Sequence, residues 1–287
     1  LYGTAVEASH LRHTMRPENR FSRGMPTHGV ELADELSELI ATYDASTIAA
    51  VIVETMAGSA GVIPPPVGYL QRLREICDQH DILLIFDEVI CAFGRVGART
   101  GAEAFGVTPD IITMAKQLTN GAVPMGAVAS RRHIYDTFME QGGPDYALEL
   151  PHGYTYSGHP AACAVAIENI NILQSEGLVD RVKNDIGPYL QAGWQKLGEH
   201  PLVGETRMVG LMGAFELVRN KTELERFDEK REAGVVVRDI CIEMGVVMRA
   251  VGDSIVCAPP LTLSRDEADI IVDTALEALD RAAAVLR

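Results

Sequence analysis

Residues 81–89 read DILLIFDEV, and residues 110–116 read DIITMAK. Each stretch is a short apolar run, rich in β-branched residues, that stops at a charged side chain. Runs of four to eight apolar residues without polar alternation are the mark of strands buried on both faces, as in parallel sheets. A third such run, TIAAVIVE, occupies residues 47–54, and a fourth fits residues 126–130. Between them lie helical patterns. Leu32, Leu36, Leu39 and Ile40 share one face of a helix over residues 31–43, and Leu70, Leu73, Ile76 and Cys77 share a face of the next. Strand, helix, strand at this spacing predicts βαβ units, hence an α/β fold with a mostly parallel sheet covered by helices. In such sheets ligands gather outside the carboxyl ends of the strands. Asp87 and Lys116 stand at two of those ends.

The second half of the chain has a different texture. Helices are expected over residues 161–174 and 180–197, and strands over residues 207–218 and 246–257. A final helix opens on a capping box, with Ser264 as N-cap and Glu267 three residues on. The reading divides the chain into a large domain, residues 1–174, and a smaller C-terminal α+β domain, residues 175–287.

Composition narrows the function. A net charge of −15 argues against a nucleic-acid partner, which needs a basic surface. No apolar run approaches the length of a membrane span, and no signal-peptide pattern opens the chain. The five cysteines are scattered with no Cys-x-x-Cys pair, so free thiols in a reducing cytoplasm are expected rather than disulfides or zinc. No repeat or low-complexity segment occurs.

Two residues carry the chemistry. A carboxylate at the end of so apolar a strand is costly to bury unless it meets a cation or caps the turn that follows. For Asp87 both readings stand. A lysine after an apolar run either snorkels to solvent or, in an apolar site, becomes a nucleophile toward carbonyls. As a pair they match what pyridoxal phosphate needs: one lysine for a Schiff base and one acid against the pyridinium nitrogen.

Five segments, in order, resemble the class III aminotransferases. They are VIVETMAGSAGVIPPPVGYL (51–70), IFDEVICAFGRVG (85–97), PDIITMAKQLTNGAVPMGAV (109–128), HGYTYSGHPAACAVA (152–166) and VVMRAVGDSIVCAPPL (246–261). The likeness is greatest to the β-alanine or ω-amino acid:pyruvate type. It implies the aspartate-aminotransferase-like fold (fold type I) and pyridoxal 5′-phosphate as cofactor. It further implies transfer of an amino group from an ω-amino acid or primary amine to a keto acid such as pyruvate. Lys116 is then the cofactor-bearing residue and Asp87 the partner of the pyridine nitrogen. Val89 is expected to pack on the ring from the same strand face, and Glu54 to lie nearby. Thr155 is expected to donate to the cofactor phosphate of a partner subunit, and Arg249 to receive the substrate carboxylate. A homodimer with a shared site follows, with a tetramer left open.

The resemblance also marks departures. The family's N-terminal part, with its phosphate-binding loop and ring-covering aromatics, is expected to be missing from this chain. Gln117 stands where glycine is usual, Thr55 where proline is usual, and Cys91-Ala92 where threonine-glycine is usual. Arg95 is expected to be structural, and His152 and His159 to make local loop hydrogen bonds. Two alternatives to transamination are kept: a cofactor-free or non-catalytic truncated form, and another chemistry of the class such as an aminomutase.

Overall fold

The computed structural model describes residues 8–141, 153–228 and 232–286. His152 lies outside them. The first sheet holds four strands in the order β1 (Ala50–Glu54), β2 (Leu83–Asp87), β3 (Ile111–Met114) and β4 (Ala127–Ser130). The first three run parallel and β4 closes the edge antiparallel. Each strand is shorter than its apolar run. The run at 47–54 begins in a single 3-10 turn, Ala45–Thr47, opened by the Asp44 side chain accepting from the Ser46 N–H.

One face of this sheet is well filled. Leu84 and Phe86 are fully buried there, together with Leu70, Leu73, Ile76 and Cys77 of α2 (Tyr69–Gln79), and with Leu36 and Ile40 of α1 (Glu35–Tyr43). The opposite face is not. Ile52 is 61% exposed beside half-buried Ile85, and Val128 is 71% exposed beside half-buried Thr113. The unbroken apolar run at 47–54 predicts burial on both faces, and among the described residues only one face is covered. The expectation fails because the run reports what the strand needs, while cover depends on another element being present.

The buried Asp110, just before β3, ties this sheet together. Its Oδ2 accepts from the Leu84 amide at 2.8 Å and from Arg74 Nη1 of α2 at 2.7 Å, while Arg131 Nη1, just after β4, lies 3.5 Å from Oδ1. Burial opposes its charge, but the Leu84 N–H and the two guanidiniums outweigh that and hold the carboxyl below its ordinary range.

The second sheet is antiparallel, in the order β5 (Val203–Val209), β6 (Met212–Leu217), β8 (Ser254–Cys257), β7 (Arg249–Val251). The segments 207–218 and 246–257, each expected as strand, prove to hold hairpin turns. Their apices, Gly210 (φ +57°) and Gly252 (φ +56°), take the left-handed conformation that two-residue hairpin turns require. This sheet packs on α8 (Ala233–Glu243), α9 (Arg265–Val285) and a helical segment that begins at Leu178 and ends in α7 (Gly187–Lys196). Trp194, Phe215 and Ile255 are completely buried in that core. The capping box of α9 is present as expected, Ser264 accepting from the Glu267 N–H and Glu267 accepting from the Ser264 N–H.

Two arginines join the sheets. Arg95 Nη1 donates to the carbonyls of Leu211 (3.0 Å) and Pro259 (2.5 Å), and its own carbonyl accepts from the Leu211 N–H. Arg207 of β5, itself buried, donates to the carbonyls of Gly61 and Val62 in the loop after β1. Arg95 therefore spends its guanidinium on structure, in line with its reading from the sequence.

Asp110→Asn is expected to lose about 1–3 kcal/mol of stability at neutral pH, by removing the buried one of the two carboxylates that Arg74 pairs with, Asp78 remaining at 2.7 Å. Because the folded pKa of Asp110 is depressed, its contribution is complete above the unfolded value, about 3.9, and drains away as pH falls through the folded one. Denaturant unfolding at pH 7 and pH 3 checks this: the difference between wild type and variant should shrink on acidification.

Candidate active site

The carboxyl ends of β1, β2 and β3 form an open shelf. Register sets Glu54 beside Asp87, and Asp87 beside Thr113, in one row of side chains on one face. Asp87 is half-buried. Its Oδ1 accepts from the Val89 N–H at 3.0 Å and from Thr113 Oγ1 at 3.2 Å. Among the described residues no donor reaches Oδ2. The bond from Val89 makes an Asx turn, and it ends β2 at Asp87. Val89 is thus in a turn, half-exposed, rather than on the strand face as expected. The turn-capping and cation-meeting readings of Asp87 turn out to be compatible, since they use different oxygens.

Glu54 is spoken for. Its Oε2 accepts from the Gly58 amide at 2.8 Å and closes the loop that leaves β1. Glu88, next to Asp87 but on the opposite face, is fully buried. Burial pushes its carboxyl up, against the two amides it accepts from, Gly101 and Ala102 at the start of α3 (Gly101–Phe105). The Glu88 contacts hold the returning chain beneath the shelf, and sequence reasoning missed them. Thr55 and Cys91, two of the departures, meet in the same buried layer. The Cys91 thiol donates to the Met56 carbonyl and burial pushes it up to about 11, which keeps it a neutral packing group.

Lys116 lies three residues past Thr113, roughly 10 Å of strand backbone beyond the Asp87 row. It opens a one-turn 3-10 helix, Lys116–Leu118, in left-handed backbone with φ +46°. Its side chain is exposed, and among the described residues the ammonium has no hydrogen bond or ion pair. The left-handed strain therefore sits on the lysine itself and not on Gln117, so the missing glycine at 117 costs the backbone nothing there.

The other expected site residues stand apart. Thr155 lies on an exposed turn, closed by Tyr154 and Ser157, that precedes α5 (Pro160–Ser175). His159 N-caps that helix through its ring nitrogen, the local loop bond expected of it. Asn169, nine residues into α5, touches the lysine turn, so the first turn of the helix is roughly 14 Å farther along its axis. Among the described residues nothing links Thr155 to Lys116 of the same chain. Arg249 opens the edge strand β7, exposed and without a partner among the described residues. Two clefts elsewhere, one lined by Arg99, Glu103 and Lys183 and one by Asn19, Glu205 and Arg207, include neither Asp87 nor Lys116. No cluster of metal-ligating side chains occurs among the described residues, and none of their helices is long and apolar enough to cross a membrane.

Comparison with known proteins sets this shelf in context. The family model described as aminotransferase class-III matches residues 12–279. The chain is 48% identical over 283 residues to a β-alanine–pyruvate aminotransferase of Pseudomonas aeruginosa, covering 98% of this chain and 61% of that protein. It is 44% identical over 288 residues to an ω-amino acid–pyruvate aminotransferase of Pseudomonas putida, covering 98% and 62%. Among solved structures, an ω-transaminase from Pseudomonas jessenii in complex with PMP superposes with a TM-score of 0.83 at 37% identity, covering 89% of this chain and 56% of that one. The chain thus spans about three fifths of the length of the curated relatives it matches.

Gly101 has no room for a side chain: a Cβ there falls 2.1 Å from Thr55 Oγ1. Gly101→Ala is expected to cost about 1–3 kcal/mol through overpacking. Adding Thr55→Ala should recover part of that loss in chemical denaturation.

Proposed function

The chain belongs to the class III aminotransferase family, and from that premise we propose that its β-strand shelf is one half of a transamination site. The donor is an ω-amino acid or primary amine and the acceptor a keto acid such as pyruvate. The observation that carries the proposal is the complementary pair at one end of the sheet. Among the described residues, Asp87 keeps one carboxylate oxygen without a donor, and Lys116 keeps an ammonium without a partner.

The residues present suit the family's cofactor. When bound, pyridoxal phosphate supplies the electron sink that makes the amine-bearing carbon of the substrate acidic. Asp87 would hold the pyridine nitrogen through Oδ2 and keep it protonated. Thr113 and the Val89 amide hold the other oxygen, so the carboxylate cannot rotate away. Lys116 Nζ would hold the cofactor's carbonyl carbon, and as a free amine it would be the base that moves the proton at the substrate carbon. Val89 would border the cofactor from the turn after β2. Glu54 fixes the loop after β1, which forms the shelf's side. Arg249 receives a substrate carboxylate through a bidentate pair.

Thr155 serves the phosphate of a second copy. Its separation from its own lysine turn supports this role, as do the exposed rings of Tyr154 and Tyr156 on either side of it and the exposed apolar side chains elsewhere on this half of the chain. Tyr135, Phe138 and Met139 of α4 (Arg132–Gln141) and Ile167 of α5 are all exposed. Exposed apolar side chains in such numbers are the mark of a subunit contact. The division into domains at residues 174 and 175 and a cytoplasmic setting belong to the same reading. The buried, unpaired thiols of Cys77, Cys91, Cys241 and Cys257 support the latter. No observation favours the aminomutase or cofactor-free alternatives, since the relatives named above carry aminotransferase names.

Lys116→Ala is expected to abolish β-alanine:pyruvate transamination together with the yellow absorbance of lysine-linked cofactor. Asp87→Asn should bind cofactor yet turn over about 10²–10³ times more slowly. Single-turnover kinetics with β-alanine measures both; turnover surviving in Lys116→Ala rules the proposal out.

A further inference from the structure

The segment that carries Lys116 is a single 3-10 turn, Lys116–Leu118. The Leu118 N–H opens it on the Ala115 carbonyl at 3.0 Å, and two longer bonds, Thr119 N–H to the Lys116 carbonyl and Asn120 N–H to the Gln117 carbonyl, both 3.3 Å, close it. Lys116 itself sits at φ +46°, and Asn120 (φ +49°) and Gly121 (φ +74°) are left-handed as well. A non-glycine residue in that region is strained and persists only where its surroundings over-determine it. Of its last two carbonyls, that of Gln117 has only the long bond from Asn120, and that of Leu118 has no backbone donor among the described residues.

One side chain from outside the loop meets that need. Asn169 Nδ2 of α5 donates to the Gln117 carbonyl at 2.7 Å and to the Leu118 carbonyl at 3.2 Å. Asn169 is half-buried, and α5 is a sixteen-residue helix anchored in the second core by Leu173. Among the described residues no other side chain beyond residues 116–126 donates to this turn. Inside the loop, Thr119 Oγ1 donates to the Val123 carbonyl and so closes the far side. The amide of Asn169 thus bridges the two carbonyls directly after the strained lysine and ties them to a rigid element.

We infer that Asn169 is a positioning residue for Lys116: its side-chain amide fixes the lysine turn, and with it the direction in which Nζ leaves the backbone. The inference rests on the proposed role of Lys116 and deepens it. Asn169 touches neither substrate nor cofactor. It acts through the peptide carbonyls of residues 117 and 118, and what it controls is the geometry of proton transfer at Nζ. Displacement of a reacting group by about 1 Å costs up to roughly a hundredfold in rate.

Asn169→Asp keeps the shape and removes the donor, while Asn169→Ser keeps a shorter donor and guards against a variant that fails to fold. In the intact protein, free of cofactor, amide hydrogen exchange at Thr119 and Asn120 should quicken about tenfold in Asn169→Asp, with the rest of α5 unchanged. In the cofactor-loaded protein, kcat for β-alanine should fall about ten- to a hundredfold while KM stays within about twofold. The pH at which the lysine-linked absorbance changes should shift in the same variant. Asn169→Ser should lie between Asn169→Asp and wild type in all three. Wild-type exchange at 119 and 120, or a kcat that falls only with the folded fraction while the absorbance titration stays put, overturns the inference. Lys116→Ala run beside it separates the two claims. If that variant still turns over, the role of Lys116 is wrong. If it is dead and Asn169→Asp behaves as wild type, only the positioning role is wrong.

Discussion

The hydrogen bond from the Val89 amide to Asp87 Oδ1 decides where β2 stops and which oxygen stays available. Were the strand to run on, residue 89 would present its side chain on the same face and the carboxylate would be free to turn into it. Instead the chain folds back and Thr113 of β3 takes the same oxygen from the side. The result is a carboxylate held at one corner, with no donor on its second oxygen among the described residues. A half-buried charge with a spare lone-pair side has a reason to exist only if a donor arrives there.

Around this corner the structure builds support in layers. Glu88 and Gly101 hold the returning chain below, with no space between Gly101 and Thr55 for even a methyl group. Asp110 ties β2 and β3 to Arg74 of α2 and Arg131. Arg95 and Arg207 then clamp the second sheet onto the loops that leave β1 and β2. The shelf is therefore rigid below and bare above. Bare Ile52 and Val128 lie on the same sheet face as Asp87 and Thr113.

Much of this was legible in the sequence, for identifiable reasons. The strands of the first sheet announce themselves because β-branched runs ending in charge have few other uses. Asp87 and Lys116 were found because each breaks such a run. The hairpin at Gly210 escaped because apolar residues continue through its turn and hide the glycine, whereas the one at Gly252 was signalled by the pair Gly252-Asp253 and was overlooked within a longer apolar stretch. The helix expected over residues 180–197 is interrupted by a π-turn, Val182–Ile186, since Pro188 brings no N–H to the carbonyl four residues back. Thr113, Glu88 and Asn169 left no signal of their own. Their roles come from register and from a helix crossing, which a linear pattern does not encode, although a threonine two positions before the end of an apolar run was a hint. Thr155 and Arg249 were legible as motif members, but their placement, on an exposed turn before α5 and at the start of an edge strand, was not, because it depends on the fold and not on the motif.

The central claim is that Lys116 Nζ, and no other amine, bonds the cofactor. Borohydride reduction of the protein after addition of pyridoxal phosphate, followed by peptide mapping by mass spectrometry, tests it directly. The account predicts a stoichiometric phosphopyridoxyl mark on the peptide containing Lys116. A mark on Lys183, Lys196 or Lys221 instead, or scattered substoichiometric labelling with Lys116 unmodified, would contradict it.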